Sequence, residues 1–228
     1  MPQNRYDNNL REGNQLIIDL TPANYVLRIE LAIELKNQIQ KKNLKILEIG
    51  TGEGDLTKYI LKHNPSITID CLDVSQEMLD SAKVFLAEYA SRINFICADA
   101  LNFLSKNESK YDLIVTAWTI HNFTWEDKLP TFNKIYSSLN PNGKFLLMDK
   151  VYPDNEDESK KLLETQLKRF RYLSKDLEKD IVAHEKQDLL DEYRMNESRT
   201  LNLLKEIGFT KVEILDRVER DILLLAEK

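Results

Sequence analysis

One short segment constrains the fold of this chain more than any other. Only 6 of its 228 residues are glycine, and three of them, Gly50, Gly52 and Gly54, stand at alternate positions. They follow an apolar run at 44–49 and precede a helical pattern at 55–63. Glycine lets the backbone adopt left-handed conformations and approach a ligand without a Cβ atom. The sequence therefore predicts a ligand-binding turn between a strand and a helix.

The alternation of short strands and amphipathic helices continues through most of the chain. Further strands are predicted at 67–72, 93–98, 111–117, 144–148, 210–215 and 221–226, and further helices at 75–89, 124–139 and 200–207. Ser75 and Thr124 are suitable N-caps, residues 140–143 form a turn, and Gly208 is a suitable C-terminal stop. Strands that alternate with helices imply a mainly parallel sheet covered on both faces.

Two segments do not follow this alternation. Residues 1–43 contain one long predicted helix, at about 23–42, and are interpreted as an N-terminal helical cap. In the segment 154–194, 21 of 41 residues are charged, and one narrow, mostly apolar stripe runs along it. This segment follows the fifth strand, and loops at the carboxyl ends of the strands face the ligand crevice. We therefore expect a helical lid at 154–194, inserted into a core formed by 44–153 and 195–228.

Composition removes several classes of protein. Hydrophobic content of 42% with 31% charged residues is typical of a soluble globular protein. The longest wholly apolar run, at 222–226, is far shorter than the ~20 residues of a membrane-spanning helix. The polar N-terminus lacks the apolar stretch of a secretory signal, so a cytoplasmic protein is expected. Cys71 and Cys97 lie in apolar runs and are predicted to be buried, reduced thiols.

Charge and histidine spacing narrow the possible ligands. A net charge of -6 argues against a broad nucleic-acid-binding surface, although it leaves room for a local basic patch. His63, His121 and His184 are widely separated and the chain has no CxxC motif, so the sequence supports no metal site. Oligomeric state is open between a monomer and a homodimer.

Three known kinds of cofactor-binding loop place glycines between a strand and a helix, and the glycine segment departs from two of them. A phosphate-binding Walker loop requires a lysine that is absent after Gly54, and the dinucleotide fingerprint spaces its glycines as G-x-G-x-x-G. Here the spacing is G-x-G-x-G, with Glu48 two residues before the first glycine. A carboxylate in that place suits a ligand that carries an ammonium group better than it suits a pyrophosphate.

The segment 48–54 resembles the first motif of the class I S-adenosylmethionine-dependent methyltransferases, [DE]-x-G-x-G-x-G, at every fixed position. Asp73 resembles the family's ribose-binding acid, and Asp99-Ala100 its adenine-contacting turn. The segments 111–115, 139–143 and 203–209 resemble three further landmarks in the family's order. This resemblance implies a Rossmann-like α/β fold with a seven-stranded, mostly parallel sheet in the order 3-2-1-4-5-7-6 and helices on both faces.

The resemblance also implies the cofactor, S-adenosyl-L-methionine, with S-adenosyl-L-homocysteine as the product. The residues expected to bind it are Glu48, Gly50, Thr51, Gly52, Gly54, Asp73, Val74, Met78, Asp99, Ala100 and Ala117. Each has a structural alternative: Glu48 and Asp73 as capping acids, Asp99 as a turn former, and Met78 as a core residue. Tyr6 and Tyr25 are weaker candidates that would close over the cofactor.

The loop at 116–123 is expected to line the acceptor site, because it follows the fourth strand. It lacks the [DNS]-P-P-[YFW] motif of many nitrogen methyltransferases, and it lacks the acid of the magnesium-dependent catechol type. His121 is the best candidate for a catalytic general base, with pocket lining as the alternative. Candidate substrate contacts are Trp118 in this loop and, in the lid, His184, Tyr193 and Arg194.

We therefore predict methyl transfer from S-adenosylmethionine to a small-molecule acceptor at oxygen or nitrogen. A large lid suits a closed pocket, so a nucleic-acid substrate is disfavoured and no membrane partner is expected. Four alternatives remain open on similar scaffolds: a tRNA-modification enzyme, an enzyme that alters the cofactor itself, a non-catalytic cofactor-binding subunit and a nicotinamide-dependent oxidoreductase.

Overall fold

The structure is a computed structural model, and it describes residues 21–23, 26–28, 30–31, 34, 44–63, 65–171 and 175–228. The predictions for Tyr6 and Tyr25 lie outside these residues. So does most of the predicted N-terminal helix. The structure places its residues 22–23, 26–28, 30–31 and 34 in helical conformation.

A seven-stranded sheet forms the centre of the described part of the chain. Its strands are β1 (Lys45–Ile49), β2 (Thr68–Asp73), β3 (Ile93–Cys97), β4 (Tyr111–Ala117), β5 (Leu139–Lys150), β6 (Lys211–Val218) and β7 (Asp221–Glu227). Their order is β3-β2-β1-β4-β5-β7-β6. The first five strands pair in parallel, and β7 runs antiparallel to both of its neighbours. The Rossmann-like fold and the predicted strand order are confirmed.

Seven α-helices, together with 3-10 helices at Ala87–Arg92 and Ile120–Asn122, connect or cover these strands within the described residues from 44 onwards. The α-helices are α1 (Asp55–His63), α2 (Gln76–Phe85), α3 (Ala100–Lys106), α4 (Trp125–Ser138), α5 (Glu156–Phe170), α6 (Lys175–Gln187) and α7 (Glu197–Ile207). Ser75 and Thr124 cap α2 and α4 by accepting hydrogen bonds from the backbone N–H groups of Met78 and Asp127. Both predicted N-caps are confirmed, because this local chemistry does not depend on distant contacts.

Apolar side chains cover both faces of the sheet. One buried cluster joins β4 and β5 to α4 and α7 through residues such as Phe132, Phe145 and Leu204. A second cluster, on other strand positions, includes Ile46 and Leu146. The described N-terminal residues Ala23, Leu27 and Leu31 belong to this second cluster and are fully buried. This part of the predicted cap therefore packs in the core.

Two local predictions need correction. Cys71 is buried, but Cys97 is exposed, because it is the last residue of β3 and β3 is an edge strand with a neighbour on one side only. The predicted turn at 140–143 lies within β5, which begins at Leu139. The parallel pairing of β4 with β5 shifts register between Tyr111 and Leu113, and Asn142 adopts a left-handed φ of 62°. Residues 140–143, which outnumber the residues opposite them in β4, are thus accommodated as an irregularity of β5.

The segment 154–194 contributes α5 and α6, which pack against each other. Asn155 caps α5, and the stripe residues Leu163, Phe170 and Ile181 are buried. The segment after α6 returns to the core through a bridge between Tyr152 and Asn196. These contacts bring the end of the insertion to the carboxyl edge of the sheet.

Candidate cofactor and acceptor site

The glycine segment folds as a tight turn from β1 into α1. Gly50, Gly52 and Gly54 have φ angles of 77°, 56° and 93°, which side chains of L-residues rarely tolerate. Gly50 also faces Thr119, since a Cβ atom added at Gly50 would lie 2.7 Å from the Cβ atom of Thr119. The backbone N–H groups of Gly50 and Thr51 both donate to the carbonyl of Leu72. The turn is therefore held against β2 and the loop after β4.

Asp73 ends β2 beside this turn. Its Oδ2 accepts from the backbone N–H of Gly52 at 2.9 Å, and its Oδ1 accepts from the N–H of Ser75 at 2.8 Å. Burial raises the pKa of Asp73, and these hydrogen bonds oppose that rise. Each carboxylate oxygen has a second lone-pair position, so the group retains capacity for the two hydroxyls of a ribose.

Glu48 lies at the base of the turn and is 2% exposed. Its Oε2 accepts a hydrogen bond from the hydroxyl of Thr57 in α1. Burial, together with the nearby acids Asp73 and Asp55, raises the pKa of Glu48 to about 8. A cation placed near a carboxyl group with a raised pKa favours its ionised form. Glu48 is therefore suited to a positively charged ligand.

The remaining predicted cofactor residues lie along the same edge of the sheet. Asp99 caps α3, its Oδ1 accepting from the N–H of Asn102 at 2.9 Å, and Ala100 is buried in the first turn of that helix. Val74 is 55% exposed at the end of β2, and Met78 is half-buried in α2. Ala117 ends β4 and is half-buried. Asp99 is thus a structural cap as well as a candidate ligand.

Trp118 follows β4 in a strained conformation. Its φ is 47°, which is uncommon for a bulky residue. The indole Nε1–H donates to Oδ1 of the buried Asp221 at 2.7 Å, and the guanidinium of Arg28 lies 5.6 Å from the ring centroid. These contacts join the loop after β4 to β7 and to the N-terminal helical residues, so Trp118 positions the loop in addition to any contact with substrate.

His121 and Asp149 form a buried pair at the carboxyl ends of β4 and β5. The imidazole Nδ1 and Asp149 Oδ1 are 2.6 Å apart, and the backbone N–H of His121 donates to Asp149 Oδ2 at 3.1 Å. Burial alone would raise the pKa of Asp149, but the adjacent His121 and the backbone hydrogen bonds hold it below its usual value. An ionised Asp149 fixes the Nδ1–H tautomer, which leaves the lone pair of His121 on Nε2.

The end of the insertion is fastened to this loop. The buried ammonium of Lys128 donates to the backbone carbonyls of His121, Phe123 and Tyr193, the last at 2.8 Å. Trp125 adds an indole N–H bond of 2.8 Å to the carbonyl of Arg194. Lys128 had no signal in the sequence, since a lysine on an amphipathic helix normally marks the exposed face.

Tyr193 and Arg194, predicted to contact substrate, thus hold the loop through their backbone carbonyls. The Tyr193 side chain is half-buried. The Arg194 guanidinium is 3.9 Å from a carboxylate oxygen of Glu156 and 3.7 Å from one of Asp191.

A buried ion cluster lies beneath α6, and sequence reasoning did not find it. The ammonium of Lys150 is 2.7 Å from Asp188 Oδ2 and 3.1 Å from Glu185 Oε1. Arg220 pairs with the other oxygen of Glu185 and donates to the hydroxyl of Tyr152 at 2.6 Å. Burial opposes ionisation of these groups, yet their mutual attraction raises the pKa of Lys150 and Arg220 and lowers that of Glu185 and Asp188.

His184 also reaches the site. Its ring stands edge-on to that of His121, with the centroids 6.1 Å apart. Donor atoms of His121, His184 and Asp188 all lie within 4.8 Å of one another. His121 and His184, which are widely separated in the chain, are therefore neighbours in space, a pairing that nothing in their spacing indicated.

Fold and site together define an α/β protein with a glycine turn and buried acids at the carboxyl edge of a mostly parallel sheet. Residues 46–143 match the family profile described as "Methyltransferase domain". A malonyl-[acyl-carrier protein] O-methyltransferase of Ilyobacter polytropus is 41% identical over 105 residues, 46% of this chain and 37% of that protein. The chain thus spans little more than a third of that relative's length.

Two further proteins resemble the chain over most of its length. A carboxy-S-adenosyl-L-methionine synthase of Campylobacter lari is 25% identical over 193 residues, 83% of this chain and 79% of that protein. The structure of a putative S-adenosyl-L-methionine-dependent methyltransferase from Methanococcus maripaludis superposes with a TM-score of 0.62, covering 96% of this chain and 90% of that one at 21% identity. That last likeness shows the fold.

The matched domain, these relatives and the structural likeness support a class I S-adenosylmethionine-dependent methyltransferase, and S-adenosylmethionine is the cofactor of this family. The predicted family and cofactor are confirmed. Among the residues that the structure describes, no helix is long and apolar enough to cross a membrane.

Proposed function

We propose that this chain transfers the methyl group of S-adenosylmethionine to an oxygen or nitrogen atom of a small molecule bound beneath residues 184–194. The observation that carries the proposal is the buried His121–Asp149 pair, placed one loop away from the glycine turn. Thr119 contacts that turn and His121 lies two residues further on, so one short loop connects cofactor and acceptor sites.

His121 has the role of general base in this proposal. S-adenosylmethionine, when bound, would supply an electrophilic methyl group to a lone pair of the acceptor, and its sulfur would keep the electrons of the broken carbon–sulfur bond in S-adenosylhomocysteine. The proton of the acceptor moves to Nε2 of His121, and the ionised Asp149 stabilises the resulting imidazolium. Glu48 and Asp73 are proposed to hold the cofactor in line, with Asp99 at the adenine end.

The contacts that hold the end of the insertion support a small acceptor. The end of the insertion is bonded to the loop after β4 through Lys128 and Trp125, and a nucleic acid would need an open basic surface. We further propose that 154–194 acts as the lid of a core formed by 44–153 and 195–228, with 1–43 as a cap. A cytoplasmic monomer or homodimer fits this function.

The experiment is transfer from radiolabelled S-adenosylmethionine to a fractionated metabolite extract, with an RNA pool as a second acceptor. We expect label in small molecules and none in RNA. His121→Ala should lower turnover by about 10²–10⁴-fold for acceptors that require a base, with cofactor affinity unchanged. His63→Ala, at an exposed histidine outside the cleft, is the matched control. Label in RNA alone, or full turnover in His121→Ala, would contradict the proposal.

A second candidate is an enzyme that alters the cofactor itself. It is favoured by the extent of the likeness to the carboxy-S-adenosyl-L-methionine synthases, 83% of this chain against 46% for the O-methyltransferase. Mass spectrometry of the ligand released from purified, denatured protein separates the two. S-adenosylmethionine or S-adenosylhomocysteine supports methyl transfer, and a carboxylated sulfonium supports the second candidate.

A further inference from the structure

Two imidazoles and a carboxylate, far apart in sequence, converge beneath the end of α6. His184 and Asp188 are four residues apart, and the N–H of Asp188 donates to the carbonyl of His184, so both side chains share one helical face. His121 meets them from the loop after β4, with all three donor atoms within 4.8 Å of one another. We propose that His121, His184 and Asp188 form a binding site for a divalent transition-metal ion.

The donor set determines the class of ion. Two imidazole nitrogens and one carboxylate oxygen suit Zn²⁺, Fe²⁺ or Co²⁺ better than Mg²⁺ or Ca²⁺, which prefer oxygen ligands alone. An ion about 2.1 Å from each donor requires donors about 3–4 Å apart. Shifts of less than about 1 Å in each donor would provide this spacing. Three protein ligands leave positions open, as in catalytic rather than structural metal sites.

The groups that hydrogen-bond to the proposed metal ligands are arranged as in known metal sites. A ligating histidine normally donates its second ring N–H to a carboxylate, which fixes the tautomer and raises the basicity of the ligating nitrogen. Asp149 does this for His121 at 2.6 Å. Lys150 donates to Oδ2 of Asp188 at 2.7 Å, which orients that carboxylate.

The charge balance of the cleft also favours a cation. Among the described residues around these ligands, buried carboxylates outnumber buried cations by four to three: Asp149, Glu185, Asp188 and Asp221 against Lys128, Lys150 and Arg220. When all seven are ionised, one negative charge remains. Uncompensated charge is costly in a buried site, so this excess favours a bound cation over a bound anion.

The proposed site uses the nitrogen that the proposed function assigns to proton transfer. Nε2 of His121 cannot accept a proton while it coordinates an ion. The metal and the acceptor proton therefore compete, and a bound ion would suppress transfer to acceptors that need a base without affecting cofactor binding. Metal binding itself requires neither the acceptor nor methyl transfer, so this inference stands or falls separately.

The test is titration of the full, metal-stripped chain with Co²⁺, followed by visible absorption. We expect ligand-field bands that saturate at one ion per chain and that Zn²⁺ displaces. His184→Ala and Asp188→Asn should weaken Co²⁺ binding at least tenfold, and Asp149→Asn by about 10–100-fold through the second coordination shell. His63→Ala is the matched control and should bind as the wild type does. His184→Gln, which keeps the side-chain volume, replaces His184→Ala if that variant does not fold.

Absence of the bands in the wild type would overturn the inference, and so would undiminished binding in a folded His184 variant. Co²⁺ binding without any methyl transfer would support the metal site and count against the proposed function. Methyl transfer without Co²⁺ binding would support the proposed function and count against the metal site.

Discussion

Gly50 and Gly52 allow the steric requirement of the cofactor turn to be measured directly. Both have left-handed φ angles, 77° and 56°, so an alanine at either position adopts a disfavoured backbone conformation. They differ in their surroundings: a Cβ atom at Gly50 meets the Cβ atom of Thr119 at 2.7 Å, whereas nothing lies within 4 Å of one at Gly52. Rotation of the Thr119 side chain does not move its Cβ atom, so it cannot relieve the overlap.

These differences predict a smaller loss of unfolding free energy for Gly52→Ala than for Gly50→Ala. The left-handed conformation costs a non-glycine residue about 1–2 kcal/mol, which is the full expected loss of unfolding free energy for Gly52→Ala. Overpacking adds about 1–3 kcal/mol at Gly50, so Gly50→Ala should lose about 2–5 kcal/mol. Thr119→Gly removes the opposing Cβ atom and should recover the overpacking part in the double variant.

Urea unfolding of the four proteins and the wild type, analysed by linear extrapolation, measures these free energies. The double variant Gly50→Ala/Thr119→Gly completes a cycle whose coupling energy isolates the contact between the two residues. Equal losses for Gly50→Ala and Gly52→Ala, or a coupling energy near zero, would refute the close approach of the β4 loop to the glycine turn.

Two further predictions concern the acids of the cofactor site. Asp73→Ala should abolish the thermal stabilisation by S-adenosylmethionine, worth about 2.7 kcal/mol at 100 times Kd, while Asp80→Ala, at an exposed acid of α2, should retain it. An unchanged thermal shift in Asp73→Ala would remove this residue from the site. Glu48 keeps its proton in the fold up to about pH 8 but loses it near 4.5 when unfolded, so the free protein binds more protons when folded. Its unfolding free energy should therefore fall by up to a few kcal/mol between about pH 4.5 and 8, and Glu48→Gln should flatten this part of the stability profile. Parallel profiles of the two proteins would contradict the shifted pKa.

Local features were predictable from the sequence because their causes lie within a few residues. Ser75 and Thr124 cap their helices through N–H groups three positions ahead, and Gly208 ends α7 with a φ of 120°. The cofactor turn is equally local, since the glycines, Glu48 and the adjoining strand and helix are contiguous. The sheet order came from the resemblance to a family and not from any pattern in this chain.

Prediction from the local sequence failed where burial or strand pairing depends on the neighbouring strand. Cys97 has the apolar neighbours of a buried strand residue, but burial depends on whether a second strand or a helix covers it. The position of β3 at the edge of the sheet decided that. The irregular start of β5 is similar, because residues 140–143 have the composition of a turn while β4 pairs with Leu139 before them and with Lys144 after them.

The sequence by itself determined the strand and helix order, the cofactor turn and the candidate base His121, because each depends on neighbouring residues or on a contiguous motif. Only the tertiary structure decided what surrounds that base. Trp118 meets Asp221 across 103 residues, and Lys150 meets Asp188 across 38. Such contacts arise from the return of the insertion to the sheet edge and the antiparallel placement of β7. The spacing of charged residues within the chain does not indicate where the insertion returns to the sheet or where β7 lies.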